Sequence, residues 1–172
     1  MYKSLTHFSV GDKIIRSLVH TSFDFSKVVH CKDSTSLNHV KEKLDRLADE
    51  NFNRVRIPEY SYEVLDSKTI SYNVRFIKGV GIGTLVPHLQ KIVREDVLER
   101  DEDWTFSDFH TGNFLMEYET GNIYAVDFLS YCYAPDKKWR KEKWDLSICR
   151  DKIIWGKLMD GIPQTSRSNW IN

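Results

Sequence analysis

Between residues 13 and 51 the spacing of the apolar residues changes period. KIIRSLVH (13–20) and KVVHCK (27–32) are β-branched runs, and branching at Cβ suits the pleated, half-buried surface of a strand. The intervening TSFDFS is long enough for a hairpin loop, so both runs are expected in one antiparallel sheet. From Ser36 to Asn51 the repeat turns helical: Leu37, Val40, Leu44 and Leu47 recur at steps of three and four residues. This is an amphipathic helix with Ser36 as its expected N-cap. VRIPEYSYEVLDSKTISYNVRFIKG then reads as strand, turn at Asp66 to Lys68, and strand, with a glycine-rich exit at Gly79, Gly81 and Gly83. Glycines permit a hinge, and the period switches again beyond them. The expected class is therefore α+β, divided into an N-terminal sheet with one helix (1–78) and a second, mainly helical part (79–172).

The second part opens with TLVPHLQKIVREDVLER, where Leu85, Leu89, Ile92, Val93 and Val97 share a face and Pro87 suits a first helical turn. After residue 136 comes KKWRKEKWDLSICRDKIIWGKLMD, enough for one or two helices. Its basic residues Lys137, Lys138, Arg140, Lys141 and Lys143 are balanced by the acidic run Glu95 to Asp103, so they read as the wet face of a helix whose tryptophans pack inward. The whole chain carries 25 basic and 25 acidic residues, and that balance gives no field directed at nucleic acid or membrane. No run approaches the roughly 18 apolar residues that span a bilayer, and MYKSLTHFSVGDK lacks an apolar signal core. A soluble, cytoplasmic protein is expected. Cys31, Cys132 and Cys149 are too widely spaced for a disulfide framework or a metal knuckle, the histidines lack zinc spacing, and no GxSxG elbow is present.

The segment FSDFHTGNFLMEYETGNIYAVDF (106–128) sets Asp108, Asn113 and Asp127 among strand-forming apolar residues. FLMEY and NIYAV flank Glu119, Thr120 and Gly121, which predicts a β-hairpin with glycine supplying the left-handed turn. Centring the loop on Thr120 pairs positions whose numbers add to 240, which sets Asn113 opposite Asp127. Antiparallel partners have Cα atoms about 4.5 to 5.5 Å apart, close enough for an amide oxygen and a carboxylate to share one hard cation. Mg²⁺ takes oxygen ligands and keeps waters and substrate phosphates in its shell, so two protein ligands suffice. Asp108, on the loop entering the hairpin, is then left to orient a nucleophile. Taken singly, Asp, Asn and Gly are common turn residues; it is their combination with the register that carries the reading.

SDFHTGNFL followed by AVDF resembles the catalytic loop and metal-binding segment of the protein kinase-like superfamily, in its aminoglycoside phosphotransferase and choline kinase branch. That pattern is H-G-D-x-H-x-G-N and later I-D-F. The resemblance implies a two-lobed kinase-like fold, with ATP and Mg²⁺ as cofactors and a hydroxyl acceptor as substrate. Asp108 takes the place of the catalytic aspartate, and Asn113 and Asp127 those of the magnesium-binding residues. His110, Gly112 and Phe128 also match, and Asp145 is similar to the aspartate that holds the catalytic-loop backbone. In the first part, KVVHCK resembles the strand that ends in the phosphate-binding lysine, making Lys32 the candidate, with Lys27 as the alternative. Glu42 stands where the lysine-pairing glutamate of the helix would be. VRFIKG resembles the connecting segment, where the backbone of Arg75, Phe76 and Ile77 would read adenine.

The chain also departs from the pattern. Phe106 replaces the histidine that opens the catalytic motif, and Leu129 replaces the glycine after Asp127 and Phe128. FSVGD, with Gly11 alone, stands for the phosphate-covering loop. Only 27 residues follow Asp145, so the helices that build the acceptor site in this family are expected to be largely missing. The favoured function is transfer of the γ-phosphate of Mg·ATP to a small-molecule or protein hydroxyl. The competing function is an inactive pseudokinase acting as a nucleotide-binding or interaction module. A second copy or a partner protein, docking near Trp155 and Trp170, is the third expectation for completing the acceptor surface.

Overall fold

The structure is a computed structural model that describes residues 4–10, 13–19, 24–82, 87–108, 113–146 and 149. In chain order its strands are β1 (Ser4–Val10), β2 (Lys13–Val19), β3 (Asp24–His30), β4 (Val55–Arg56), β5 (Tyr60–Asp66), β6 (Thr69–Arg75), β7 (Gly79–Gly81), β8 (Trp104–Phe106), β9 (Phe114–Glu117), β10 (Ile123–Ala125) and β11 (Tyr131–Tyr133). The helices are α1 (Ser34–Ala48), α2 (Pro87–Val93) and α3 (137–146). α2 runs on into π-helical turns over Arg94–Leu98. The architecture is mixed α+β.

Five strands form an antiparallel sheet in the order β1-β2-β3-β6-β5. A second sheet, β4-β10-β9-β7, is antiparallel except where β4 pairs in parallel with β10. β8 and β11 form a third ribbon. Residues 55 and 56, on the N-terminal side of the expected division, are thus built into the sheet that also holds the 113–125 hairpin. On β6, Ile70, Tyr72 and Val74 are buried while Asn73 is exposed, the period-two alternation of a sheet with one covered face. That face and the α1 stripe of Leu37, Val40, Leu44 and Leu47 join Phe106, Phe114, Phe128 and Tyr131 in one apolar core.

Several boundaries differ from the sequence expectation, each for a local reason. β3 begins at Asp24 and ends at His30, so Phe25 and Ser26 belong to the strand rather than to a hairpin loop. β1 lies where only a phosphate-covering loop was expected, and Gly11 is outside the described residues. The N-cap of α1 is Asp33, not Ser36: its carboxylate accepts the Ser36 amide at 2.8 Å, and an aspartate in that place satisfies one of the helix's orphan donors. Gly79 is part of β7, where an added Cβ would meet the Met116 carbonyl oxygen at 2.3 Å, so its need for glycine is close backbone approach and not hinge freedom. Gly83 lies outside the described residues.

Two buried polar side chains anchor the connections. Asp96, in the π-helical turns, accepts the backbone amides of Asn53 at 2.8 Å, Arg54 at 2.9 Å and Val55 at 2.7 Å. Arg140 of α3 donates to the carbonyls of Ala134, Leu98, Arg100 and Glu102. A charged group taken out of water is tolerated only when its hydrogen-bonding capacity is met, and both are met by backbone. No helix among the described residues is long and apolar enough to cross a membrane.

Candidate functional site

The hairpin forms as the sequence predicts, with a different register. Ile123 pairs with Met116, Tyr124 with Leu115 and Ala125 with Phe114, so paired numbers add to 239. The reason is the loop: Glu117 and Asn122 close it (N to O, 2.9 Å) around residues 118–121, an even number that cannot be centred on Thr120. Gly121, at φ 71°, supplies the left-handed turn. Asn113 therefore lies opposite Val126, whose amide donates to the Asn113 carbonyl at 2.9 Å. Asp127 follows one residue later, just beyond the strand.

Each element then fixes one polar group. Phe128 is fully buried, edge-on to Tyr60 at 4.8 Å and stacked on Tyr72 at 6.0 Å, which anchors the peptide directly after Asp127. The Asp127 carbonyl accepts from Ser130 Oγ at 2.8 Å, and the Ser130 carbonyl accepts both the amide and the hydroxyl of Ser107 at 2.9 Å. Lys43 of α1 reaches the Leu129 carbonyl at 3.0 Å. The strand leading to Asp108 is thereby tied to the segment carrying Asp127. Phe106, where the resemblance expects histidine, is buried against Phe52, Phe114 and Tyr131 at ring distances of 6.1, 5.8 and 5.3 Å. An aromatic brace stands in place of a polar one.

Asn113 is buried, and its Nδ2 donates to the Asp108 carbonyl at 3.0 Å. That bond orients the amide and leaves Oδ1 as its acceptor atom. The amide oxygen and the Asp127 carboxylate are hard oxygen donors of the kind Mg²⁺ takes. Among the described residues no group of three or more His, Cys, Asp or Glu gathers in a way that could hold a metal ion.

The cation beside Asp127 is Lys27, at 3.9 Å from Nζ to Oδ1. Burial pushes the Lys27 ammonium below its ordinary range, and the Asp127 charge opposes that shift. Lys32 does not occupy this place: β3 ends at His30, and Lys32 falls in the exposed turn before α1. Glu42 is exposed on α1, and no ion pair between it and Lys32 occurs among the described residues. The α1 side chain that does reach the site's backbone is Lys43. Strand parity is the signal that distinguishes the lysines, because Lys27, Val29 and Cys31 share the covered face while Ser26, Val28 and His30 lie on the other.

Arg75 closes β6 with its guanidinium on Glu117 at 2.9 Å and over the Tyr124 ring at 5.0 Å. Its amide donates to the Glu59 carbonyl at 2.9 Å; in the segment that follows, Phe76 is exposed and Ile77 is buried. Asp145 is exposed on α3. His110, Gly112, Trp155 and Trp170 lie outside the described residues. An open groove of about 1140 Å³ runs between the end of α1, β4, β5 and Tyr124, and neither Lys27, Asp108, Asn113 nor Asp127 lines it.

No protein-family model matches this chain, and no curated protein does. Among solved structures it is similar to an amicoumacin kinase in complex with AMP-PNP, Ca2+ and Ami, with a TM-score of 0.40 and 8% identity over 86% of this chain and 72% of that one.

Proposed function

We propose that the protein is a kinase-like phosphotransferase that moves the γ-phosphate of Mg·ATP to a hydroxyl acceptor, with the nucleotide lying between the β3–β6 sheet and the 113–127 hairpin. One observation carries this reading. Four polar groups from three distant stretches form a linked series: Lys27 beside Asp127, the Asp127 segment hydrogen-bonded through Val126 to Asn113, and Asn113 bonded to the Asp108 backbone. A strand lysine, a carboxylate, an amide and a second carboxylate are the set that phosphoryl transfer needs for positioning and charge neutralisation.

In this reading Lys27, rather than Lys32, holds the nucleotide's phosphates, which is work for a compact ammonium on a flexible stem. Asn113 and Asp127 would hold a divalent cation, which neutralises charge on the triphosphate when bound. Asp108 orients the attacking hydroxyl and accepts its proton. Asn113 also keeps the Asp108 backbone in place, so the acceptor-facing and phosphate-facing groups share one scaffold.

The test is thermal unfolding with and without ATP and Mg²⁺, followed by γ-phosphate transfer across sugar, amino-alcohol, nucleoside and protein acceptors. A Mg²⁺-dependent stabilisation together with transfer supports an enzyme. Stabilisation with no transfer to any acceptor and no ATP hydrolysis favours the nucleotide-binding pseudokinase. Absence of both sinks the reading.

A further inference from the structure

Three buried side-chain polar atoms lack a hydrogen-bond partner among the described residues: Tyr72 Oη, His30 Nε2 and Arg100 Nη1. Arg100 is nonetheless ion-paired with Glu50 at 2.7 Å. His30 lies three residues from Lys27 on β3, an odd step that puts it on the opposite face. Tyr72 alone of the three faces the site described above.

Its placement follows from strand register. Tyr72 is the direct cross-strand partner of Lys27, and paired side chains on one face of an antiparallel ladder are in contact range. The residue is 0% exposed. Its ring stacks on Phe128, the residue after Asp127, at 6.0 Å and 21°. A phenol hydroxyl is a hydrogen-bond donor as well as an acceptor. A buried hydroxyl with no partner is costly, and such groups persist where a functional state completes them.

We infer that Tyr72 is a positioning residue for Asp127: when a divalent cation binds through that carboxylate, the phenol hydroxyl donates to it and fixes which oxygen faces the cation. The inference rests on the phosphotransferase reading. In the present structure Lys27 neighbours Asp127; once a triphosphate draws the ammonium away, the carboxylate needs another donor, and Tyr72 both pairs with Lys27 and stacks on the residue after Asp127. Metal-ligating carboxylates are themselves hydrogen-bonded, and loss of such a partner lowers metal affinity by about 10- to 100-fold.

Tyr72→Phe deletes only the hydroxyl. The experiment titrates Mg²⁺ against wild type and Tyr72→Phe at saturating non-hydrolysable ATP analogue, following the unfolding midpoint, with Mn²⁺ binding read by water-proton relaxation as a measure independent of thermal stability. The expected result is a half-saturating cation concentration raised about tenfold in Tyr72→Phe, with the ligand-free midpoint equal to or above wild type. A merely structural tyrosine would lower the ligand-free midpoint and leave cation half-saturation unchanged. Unchanged half-saturation beside a clear cation response in wild type overturns this inference alone. No cation response in wild type overturns it together with the phosphotransferase reading.

Discussion

Asp96, bonded to the start of β4, and Asp127, just beyond β10, are both carboxylates, and they are treated in opposite ways. Asp96 is 5% exposed and accepts three backbone amides between 2.7 and 2.9 Å. Asp127 keeps 26% of its side-chain surface open and meets Lys27 at 3.9 Å, and Tyr72, whose hydroxyl has no partner among the described residues, stacks on the next residue, Phe128. Arg140, bonded to four carbonyls, is held as Asp96 is. A charge whose hydrogen bonds all end on backbone is a structural fastener. One held loosely by another side chain can exchange partners, and exchange is what ligand binding requires.

The comparison predicts that the two kinds of residue fail differently. Asp108→Ala, at the proposed site, should reduce phosphoryl transfer by about 10²- to 10⁴-fold, the usual contribution of a positioned acid or base, while nucleotide binding measured by calorimetry stays intact. Normal turnover in that variant would remove Asp108 from the chemistry. Arg140→Met, on the fixed side, should cost about 3 to 5 kcal/mol in chemical denaturation, because several buried carbonyls lose their donors at once. Asp96→Ala should cost about 3 kcal/mol by the same route. Neither change touches the proposed nucleotide contacts, so ligand-induced stabilisation should persist wherever the variant is folded.

Lys27→Met sharpens the comparison, since it should abolish nucleotide binding without loss of stability. Burial lowers the Lys27 pKa from 10.5, so at neutral pH the folded state binds this proton less tightly than the unfolded chain, and the charge costs stability. That cost is fully present below the lowered pKa and fades as pH rises toward 10.5. Lys27→Met should therefore unfold at an equal or higher temperature than wild type near neutrality, and the gap should narrow in alkaline buffer. A large stability loss would place Lys27 among the fasteners. The smallest effect is expected of Lys32→Ala: an exposed turn residue should leave ATP-induced stabilisation within error.

The α1 stripe was legible in the sequence because Leu37, Val40, Leu44 and Leu47 repeat on one face, and all four are buried. The β9–β10 hairpin was legible too, from two apolar runs around a glycine. Its register was not, because the number of loop residues is set by which pair closes the turn, here Glu117 and Asn122. The end of β3 is hidden in the sequence for a related reason: strand ends depend on pairing, and β6 pairs with β3 from Asp24 to His30, which leaves Lys32 beyond the strand. Tyr72 carried no sequence signal at all. A tyrosine in a β-rich run reads as core, and only its pairing with Lys27 and its stacking on Phe128 set its hydroxyl apart.

The most direct measurement is a crystal structure with an ATP analogue and Mg²⁺. The expected result is a cation bound by Asn113 Oδ1 and an Asp127 carboxylate oxygen at about 2.1 Å, with the Lys27 ammonium turned onto the phosphates. A nucleotide seated elsewhere, or a cation whose shell omits both side chains, would contradict it.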